Sequence, residues 1–268
     1  MCINTFRLFL PLFQTTYICR EMTEYAHDII VPYKDSELSK KNQVADMFDH
    51  IAHRYDFLNR FLSAGIDIRW RKKALAFLKD TAPQTLLDVA TGTADVAIMA
   101  AKRLKPRAVT GIDISEGMLE IGRKKVRLAG FSGKIELLKG DSADLPFEAN
   151  SFDAVTVAFG VRNFQQLEKG LAEILRVLRP GGKLVVLEFS RPKQAVIKTF
   201  YNFYMKRIAA NIGRLFSKNN CAYEYLDASI QKFPEGKDFE KIMTNTGFVN
   251  TIIKPLSLGI CSIYCGTK

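Results

Sequence analysis

Nothing in this sequence is long and apolar enough to span a bilayer, and no internal repeat or low-complexity linker interrupts it. Its five cysteines, Cys2, Cys19, Cys221, Cys261 and Cys265, lack the paired spacing of a zinc site or a redox motif. They read as reduced thiols of a cytosolic protein, and with no ligand cluster in view no metal is expected. Glycine is also scarce where a dinucleotide site would need it. In "DVATGTAD", residues 88–95, Gly92 is followed by Ala94 and Ala97 at the other two positions of the G-x-G-x-x-G pattern, so a pyrophosphate cradle is a poor fit.

What the chain does have is apolar content and positive charge. Its 268 residues are 47% hydrophobic and 25% charged, enough to bury a full core in one generous domain. The 39 Lys and Arg against 28 Asp and Glu give a formal charge of +11. That excess suits a partner bearing negative charge, either nucleic acid or an anionic membrane surface, and charge alone does not choose between them. Residues 1–21 are apolar with one Pro, and they lack the charged start and small-residue cleavage site of a signal peptide. We read them as a dispensable extension before Met22, with a weak membrane anchor as the second reading, and residues 22–268 as a single domain.

Short apolar runs alternate with stretches of helical period. "TLLDVAT", "AVTGID", "KIELLKG", "FDAVTVAF" and "KLVVLEF" read as five strands, with helices expected near 93–104 and 115–129. "FQQLEKGLAEILRVL" carries Leu167, Leu171, Ile174, Leu175 and Leu178 at three-and-four spacing, and "RPGG" is expected to stop that helix. After an inserted helical region over about 191–232, "DFEKIMTNTG" reads as a last helix. "FVNTIIK" and "GICSIYC" then form an antiparallel edge hairpin joined through "PLSL". The expected fold is a doubly wound, Rossmann-like α/β sandwich with a seven-stranded sheet and an inserted helical lid. Ligands belong at the carboxyl ends of its strands.

Three acids stand at those ends. Asp88 lies inside an apolar strand, where a carboxylate must be paired, so a cationic or donor-rich ligand nearby would account for it. Asp113 ends the second strand, where a carboxylate can accept both hydroxyls of a ribose, although capping the next helix explains it almost equally well. Asp141 follows the third strand, within reach of an adenine amino group. Together with Gly92, which lets the backbone approach a ligand closely, they fit an adenosine carrying no pyrophosphate.

"LLDVATGTAD", "GIDISEGML", "GDSADLPF", "SFDAVTVAFGVRNF" and "LRVLRPGGKLVVLEFS" resemble the successive motifs of class I S-adenosylmethionine-dependent methyltransferases. "YDFLNRFLSAGIDIRW" and "RVLRPGGKLVVLEFS" are similar to the two signature segments of the UbiE/MenG family, the C-methyltransferases of ubiquinone and menaquinone biosynthesis. The resemblance covers roughly residues 42–268. Asp67 departs from the family's usual His and Arg179 from its usual Lys. By that resemblance the cofactor is S-adenosylmethionine, held by Thr93, Asp113, Asp141 and Ser142, with Gly92 and Asp88 supporting the methionine end. The implied reaction is methylation of a ring carbon of demethylmenaquinol, with the demethylated ubiquinol precursor as the alternative and RNA a distant third. A homodimer is compatible with the family.

Ring methylation needs an electron-rich carbon, hence an ionised quinol hydroxyl whose ordinary pKa is about 10, like that of Tyr. A base or a positive group must stabilise the phenolate. Tyr55, Asp56 and Asn59 in the N-terminal signature, within a substrate segment over about 42–72, are candidates. So are Arg162 and Asn163 after the fourth strand, where Arg162 could equally be a salt bridge closing the sheet end. His50 and His53 read as helix-surface residues. The insertion "RPKQAVIKTFYNFYMKRIAANIGRLFSK" interleaves bases with aromatics and holds no acid. That pattern favours an anionic bilayer, where a polyprenyl-tailed quinol resides, and the insertion is expected to form the substrate lid and a transient membrane contact together with the N-terminal family segment. We therefore expect a cytoplasmic protein peripherally associated with the inner face of the cell membrane, and no nucleic-acid partner.

Overall fold

The computed structural model describes residues 25–192, 194 and 221–268. The extension at residues 1–21 and most of the expected insertion lie outside them. Two helices come first, α1 (Lys40–Leu62) and α2 (Ile66–Ala76). The alternating part follows: β1 (Thr85–Val89), α3 (Asp95–Arg103), β2 (Ala108–Asp113), α4 (Glu116–Leu128), β3 (Ile135–Lys139), β4 (Phe152–Ala158), α5 (Leu167–Val177) and β5 (Leu178–Phe189). The chain closes with α6 (Cys221–Lys232), α7 (Lys237–Thr246), β6 (Val249–Leu256) and β7 (Cys261–Thr267).

The seven strands form one sheet in the order β3-β2-β1-β4-β5-β7-β6. The first five are parallel, and β7 runs antiparallel to both β5 and β6. The expected antiparallel pair is present, and β7 is inserted between β5 and β6, which leaves β6 at the edge.

Strand period two sorts the core onto both faces. Leu86, Val109, Leu137, Val185 and Ile263 meet α2, α3 and α4 through Trp70, Ala97 and Leu119. Their neighbours Leu87, Ile112, Val186 and Tyr264 meet α5 and α7 through Leu171, Ile174, Phe239 and Ile242. Both faces are covered, so the central strands read as nearly continuous apolar runs.

The "RPGG" turn behaves differently from the expectation. Helix α5 ends one residue earlier at Val177, and Leu178 already pairs with Phe152. Pairing resumes at Lys183 with Ala154, so residues 179–182 form a bulge, with Gly181 at φ +79°. The fifth strand therefore begins before the expected Lys183. Strand order reverses between β1 and β4, and the crevice opens there, at the carboxyl ends.

Candidate functional site

An open cleft lies at that switch point, where an open α/β sheet binds its ligands. Its walls are the ends of β1 (Val89, Ala90, Gly92), β2 (Ile112, Asp113, Ile114), β3 (Gly140, Asp141, Ser142) and β4 (Ala158, Phe159, Gly160). The backbone is strained at this edge. Ala90, Ala94 and Phe159 all take left-handed φ between +54° and +64°, and Gly92 sits at +55° with open space where a Cβ would stand. Non-glycine residues rarely adopt this region, and such strain concentrates where a turn must present backbone to a ligand.

The acids divide into two kinds. Asp113 lines the cleft, and its carboxylate accepts from the Gly92 N–H at 2.8 Å and the Ser115 N–H at 2.9 Å. Burial pushes its pKa up to about 6, against the pull of those backbone donors. The helix cap is Ser115, whose hydroxyl accepts from the Met118 N–H, so capping is not the role of Asp113. Asp141 also lines the cleft, accepting from the Ala143 N–H at 3.0 Å and from Lys41 Nζ at 2.9 Å.

Asp88 is the other kind. It is buried, with its two oxygens bound by the Thr91 and Thr156 hydroxyls at 2.7 and 2.6 Å. It is not among the cleft's lining residues. Its partners are protein hydroxyls rather than a ligand, and through Thr91 it braces the turn.

Helix α1 lies across this edge like a strap. Near its start Lys41 pairs with Asp141, and its N–H donates to Gln165 Oε1. About two turns on, Asp49 accepts from the Ser115 hydroxyl and the Gly117 N–H. Further along, Asp56 accepts from the Thr93 hydroxyl at 2.6 Å and from Lys125 Nζ at 2.6 Å, and Arg60 reaches Asp95 at 3.2 Å. The same helix presents Val44, Phe48 and Tyr55 to the cleft. These contacts join α1 to loops and helix starts around the cleft and, through Lys125, to the last turn of α4. Thr93 and Asp56, expected to touch cofactor and substrate, bind each other instead and are not lining residues.

Beyond the cofactor-facing acids, the fourth strand's end carries Arg162 and Asn163. Arg162 is buried and ion-paired, with Nη1 2.7 Å from Glu188 Oε1 and 2.6 Å from the Phe159 carbonyl oxygen. Its guanidinium lies 5.6 Å from the Phe189 ring centre. This is the salt bridge closing the sheet end that the sequence allowed, and Arg162 is not among the cleft's lining residues. Its Nε makes no hydrogen bond among the described residues.

Asn163 does line the cleft, and its Oδ1 accepts from the Tyr225 hydroxyl at 3.1 Å. Burial raises the phenol pKa of both Tyr55 and Tyr225, and the positive field of Arg162 opposes that rise at each. Asn59 pulls the Tyr55 pKa down against burial and lies outside the lining. Lys40, buried near Arg162, donates to the His27 carbonyl at 2.6 Å, and burial lowers its pKa to about 8.

Thus Asp113, Asp141, Ser142, Gly92, Tyr55 and Asn163 come together in the cleft, while Asp88, Thr93, Asp56, Asn59 and Arg162 support it from behind. Asp67, the departure on α2, is buried in an ion pair with Arg71 and accepts from the Ser63 hydroxyl. It serves the α1–α2 corner and not the cleft. Lys41, Phe48, Gln165 and Tyr225 were missed. Phe48 falls on the same helical stripe as Val44 and Tyr55, a periodic signal. The other three are placed by contacts between distant segments.

Residues 36–268 match the model of the ubiE/COQ5 methyltransferase family. The chain belongs to that family. The demethylmenaquinone methyltransferase of Bacteroides fragilis is 46% identical over 244 residues, covering 91% of this chain and 99% of that one. The ubiquinone/menaquinone biosynthesis C-methyltransferase UbiE of Geobacter sulfurreducens is 44% identical, covering 85% and 90%. Among solved structures, a SAM-dependent methyltransferase of Thermotoga maritima shares the fold with a TM-score of 0.59 at 18% identity, covering 84% of this chain and 99% of that one. The cyclase SpnF does so with 0.57 at 19% identity, covering 85% and 96%. One fold thus carries methyl transfer and cyclisation alike, and family membership, not fold, identifies this methyltransferase as an enzyme of quinone methylation type.

Proposed function

We propose that this enzyme moves the methyl group of S-adenosylmethionine to a ring carbon of demethylmenaquinol, giving menaquinol. The observation that carries the reading is near full-length identity of 46% to a demethylmenaquinone methyltransferase, joined to a cleft of matching chemistry. The Geobacter relative's name covers both quinones, which makes the ubiquinol precursor the second reading.

The cleft fits S-adenosylmethionine. Asp113 and Asp141 offer carboxylate acceptors for ribose hydroxyls and the adenine amine. Ile112, Ile114, Met118 and Phe164 supply apolar walls for a purine, and Gly92 offers uncrowded backbone. When bound, the group supplies a methyl on cationic sulfur, an electrophile.

The chain's own part is to make the quinol carbon nucleophilic and hold it in line. Tyr55 and Tyr225 act as internal reporters, because a tyrosine and a quinol share the phenolic hydroxyl. At Tyr225 the charge of Glu188 offsets that of Arg162, whereas at Tyr55 both Arg162 and Arg71 oppose the rise against Asp113, so the positive field that favours a phenolate lies on the Tyr55 side of the cleft. Asn163 accepts from Tyr225 through Oδ1, which turns its amide nitrogen away as a donor for the quinol oxygen. Phe48, Tyr55 and Phe159 line the same region and exclude water from the reacting carbon. The quinol proton leaves through the open mouth to solvent.

No helix among the described residues is long and apolar enough to cross a membrane. A polyprenyl quinol resides in the bilayer, and in this reading the enzyme meets it by peripheral contact with the cytoplasmic face of the cell membrane. The test is methyl-deuterated S-adenosylmethionine offered with reduced demethylmenaquinone, the demethylated ubiquinone precursor and RNA, read by mass spectrometry. Label on a naphthoquinol ring carbon is expected. Label on RNA, or none despite cofactor binding, overturns the reading.

A further inference from the structure

The outer face of α1 is unlike its inner one. Val44, Met47, Ala52 and Leu58 are buried against the fold, yet Phe57 and Phe61 on its flank are 62% and 53% exposed. Their rings stack on each other, 6.1 Å between centres and 17° between planes. Ile66, at the start of α2, is also exposed. Soluble surfaces rarely leave two neighbouring phenylalanines to water, and such patches mark interaction sites.

The charge around them has one sign outward. Between His50 and Lys73 the acids are Asp56 and Asp67. Asp56 is held by Thr93 and Lys125, and Asp67 is buried with Arg71. The bases Arg54, Arg60, Arg69, Lys72 and Lys73 are exposed, and Arg60 keeps that exposure while reaching Asp95. Aromatic rings flanked by Arg54 and Arg60 on a helix packed against its domain, with Arg69, Lys72 and Lys73 exposed on the next helix, are the composition of an interfacial surface for an anionic bilayer. A single-stranded nucleic acid would want the rings apart to receive a base, and these two are already stacked on each other.

We propose that this face of α1, centred on Phe57 and Phe61, docks the enzyme on an anionic membrane surface. The proposal rests on the lipophilic-quinol reading and deepens it. Tyr55, which lines the cleft, lies on the turn that carries Phe57. One helix then touches the bilayer with its outer side and the substrate site with its inner side, so the quinol headgroup enters the cleft beside the docked face.

The experiment uses the full-length protein and sedimentation with vesicles of phosphatidylcholine, with and without phosphatidylglycerol, at low and high salt. Wild type is expected to bind the anionic vesicles, with binding weakened by salt. Phe57→Ser/Phe61→Ser is expected to bind at least tenfold more weakly at an unchanged melting temperature. Leu128→Ser, which removes a side chain 90% exposed on α4, is expected to bind like wild type. The double variant should methylate a tail-less, water-soluble demethylated naphthoquinol at the wild-type rate and show a raised KM only for long-tailed quinol in vesicles.

Undiminished vesicle binding by the double variant, or no wild-type preference for anionic vesicles, overturns the proposal. So does phenylalanine-dependent binding of RNA, or of a second copy of the chain, in place of vesicles. Phenylalanine-dependent vesicle binding without methylation of any quinol by wild type instead sinks the substrate reading and leaves the docking face standing.

Discussion

Replacing Glu188 by Gln isolates the buried ion pair behind the cleft. Glu188 is fully buried and Arg162 nearly so, with 2.7 Å between their charged atoms. At an effective dielectric constant of about 20, that separation corresponds to an attraction of about 6 kcal/mol. The neutral amide keeps an oxygen acceptor but leaves the guanidinium charge buried and uncompensated, a loss of about 3–5 kcal/mol. At about 2–4 °C per kcal/mol for a chain near this size, the melting temperature should fall by roughly 6–20 °C.

Scanning calorimetry on the four members of a double-variant cycle measures this. Adding Arg162→Met to Glu188→Gln removes the stranded charge, so the double variant should recover at least half of the lost stability. Methylation should stay impaired in every variant lacking Arg162, which separates its contribution to catalysis from its contribution to stability. A fall under 2 °C for Glu188→Gln, or a double variant that loses the sum of the two single losses, would refute the reasoning.

Cofactor affinity should follow the ionisation of Asp113. Its pKa is pushed up to about 6 by burial, so the carboxylate is protonated below that value and loses its charge as an acceptor. Calorimetric titration should show S-adenosylmethionine binding weakening as pH falls through about 6 and levelling off above 7, and Asp113→Asn should flatten the profile. In Gly111→Ala, the new Cβ would stand 2.6 Å from Leu137 Cδ2 and 2.8 Å from Thr91 Oγ1. Overpacking should cost about 1–3 kcal/mol in denaturant unfolding, and a neutral result would mean the sheet gives way more easily than its packing implies. Lys41→Met breaks a half-exposed pair with Asp141 and should change stability by less than about 1 kcal/mol. It frees Asp141 and removes a positive charge beside a cationic ligand, so cofactor binding should tighten severalfold, and weaker binding would contradict the geometry.

Much of this protein is written locally in its chain. The strands and helices follow from periods of two and 3.6 residues, and Asp113 and Asp141 declare themselves as polar residues at the ends of apolar runs. Gly92 and its small neighbours mark the turn by their size. These are relations among residues a few positions apart, and backbone geometry converts them directly into structure. The antiparallel final pair was legible for the same reason.

The tertiary structure decided what depends on distant partners. Asp88 looked like a ligand acid because a buried carboxylate needs donors. Only the pairing of β1 with β4 brings the Thr156 hydroxyl to it and satisfies it without a ligand. Arg162 and Asn163 are neighbours in the chain, yet Glu188 draws one away from the cleft and Tyr225 holds the other at its wall. Thr93 and Asp56 turn out to be each other's partners across 37 positions. β7 lies between β5 and β6, where the backbone groups on both of its edges are paired. No periodicity encodes such meetings, since each is settled by which groups must be satisfied when water is excluded. The chain's local pattern determined that there would be a cleft at the strand ends, and packing determined which side chains face into it.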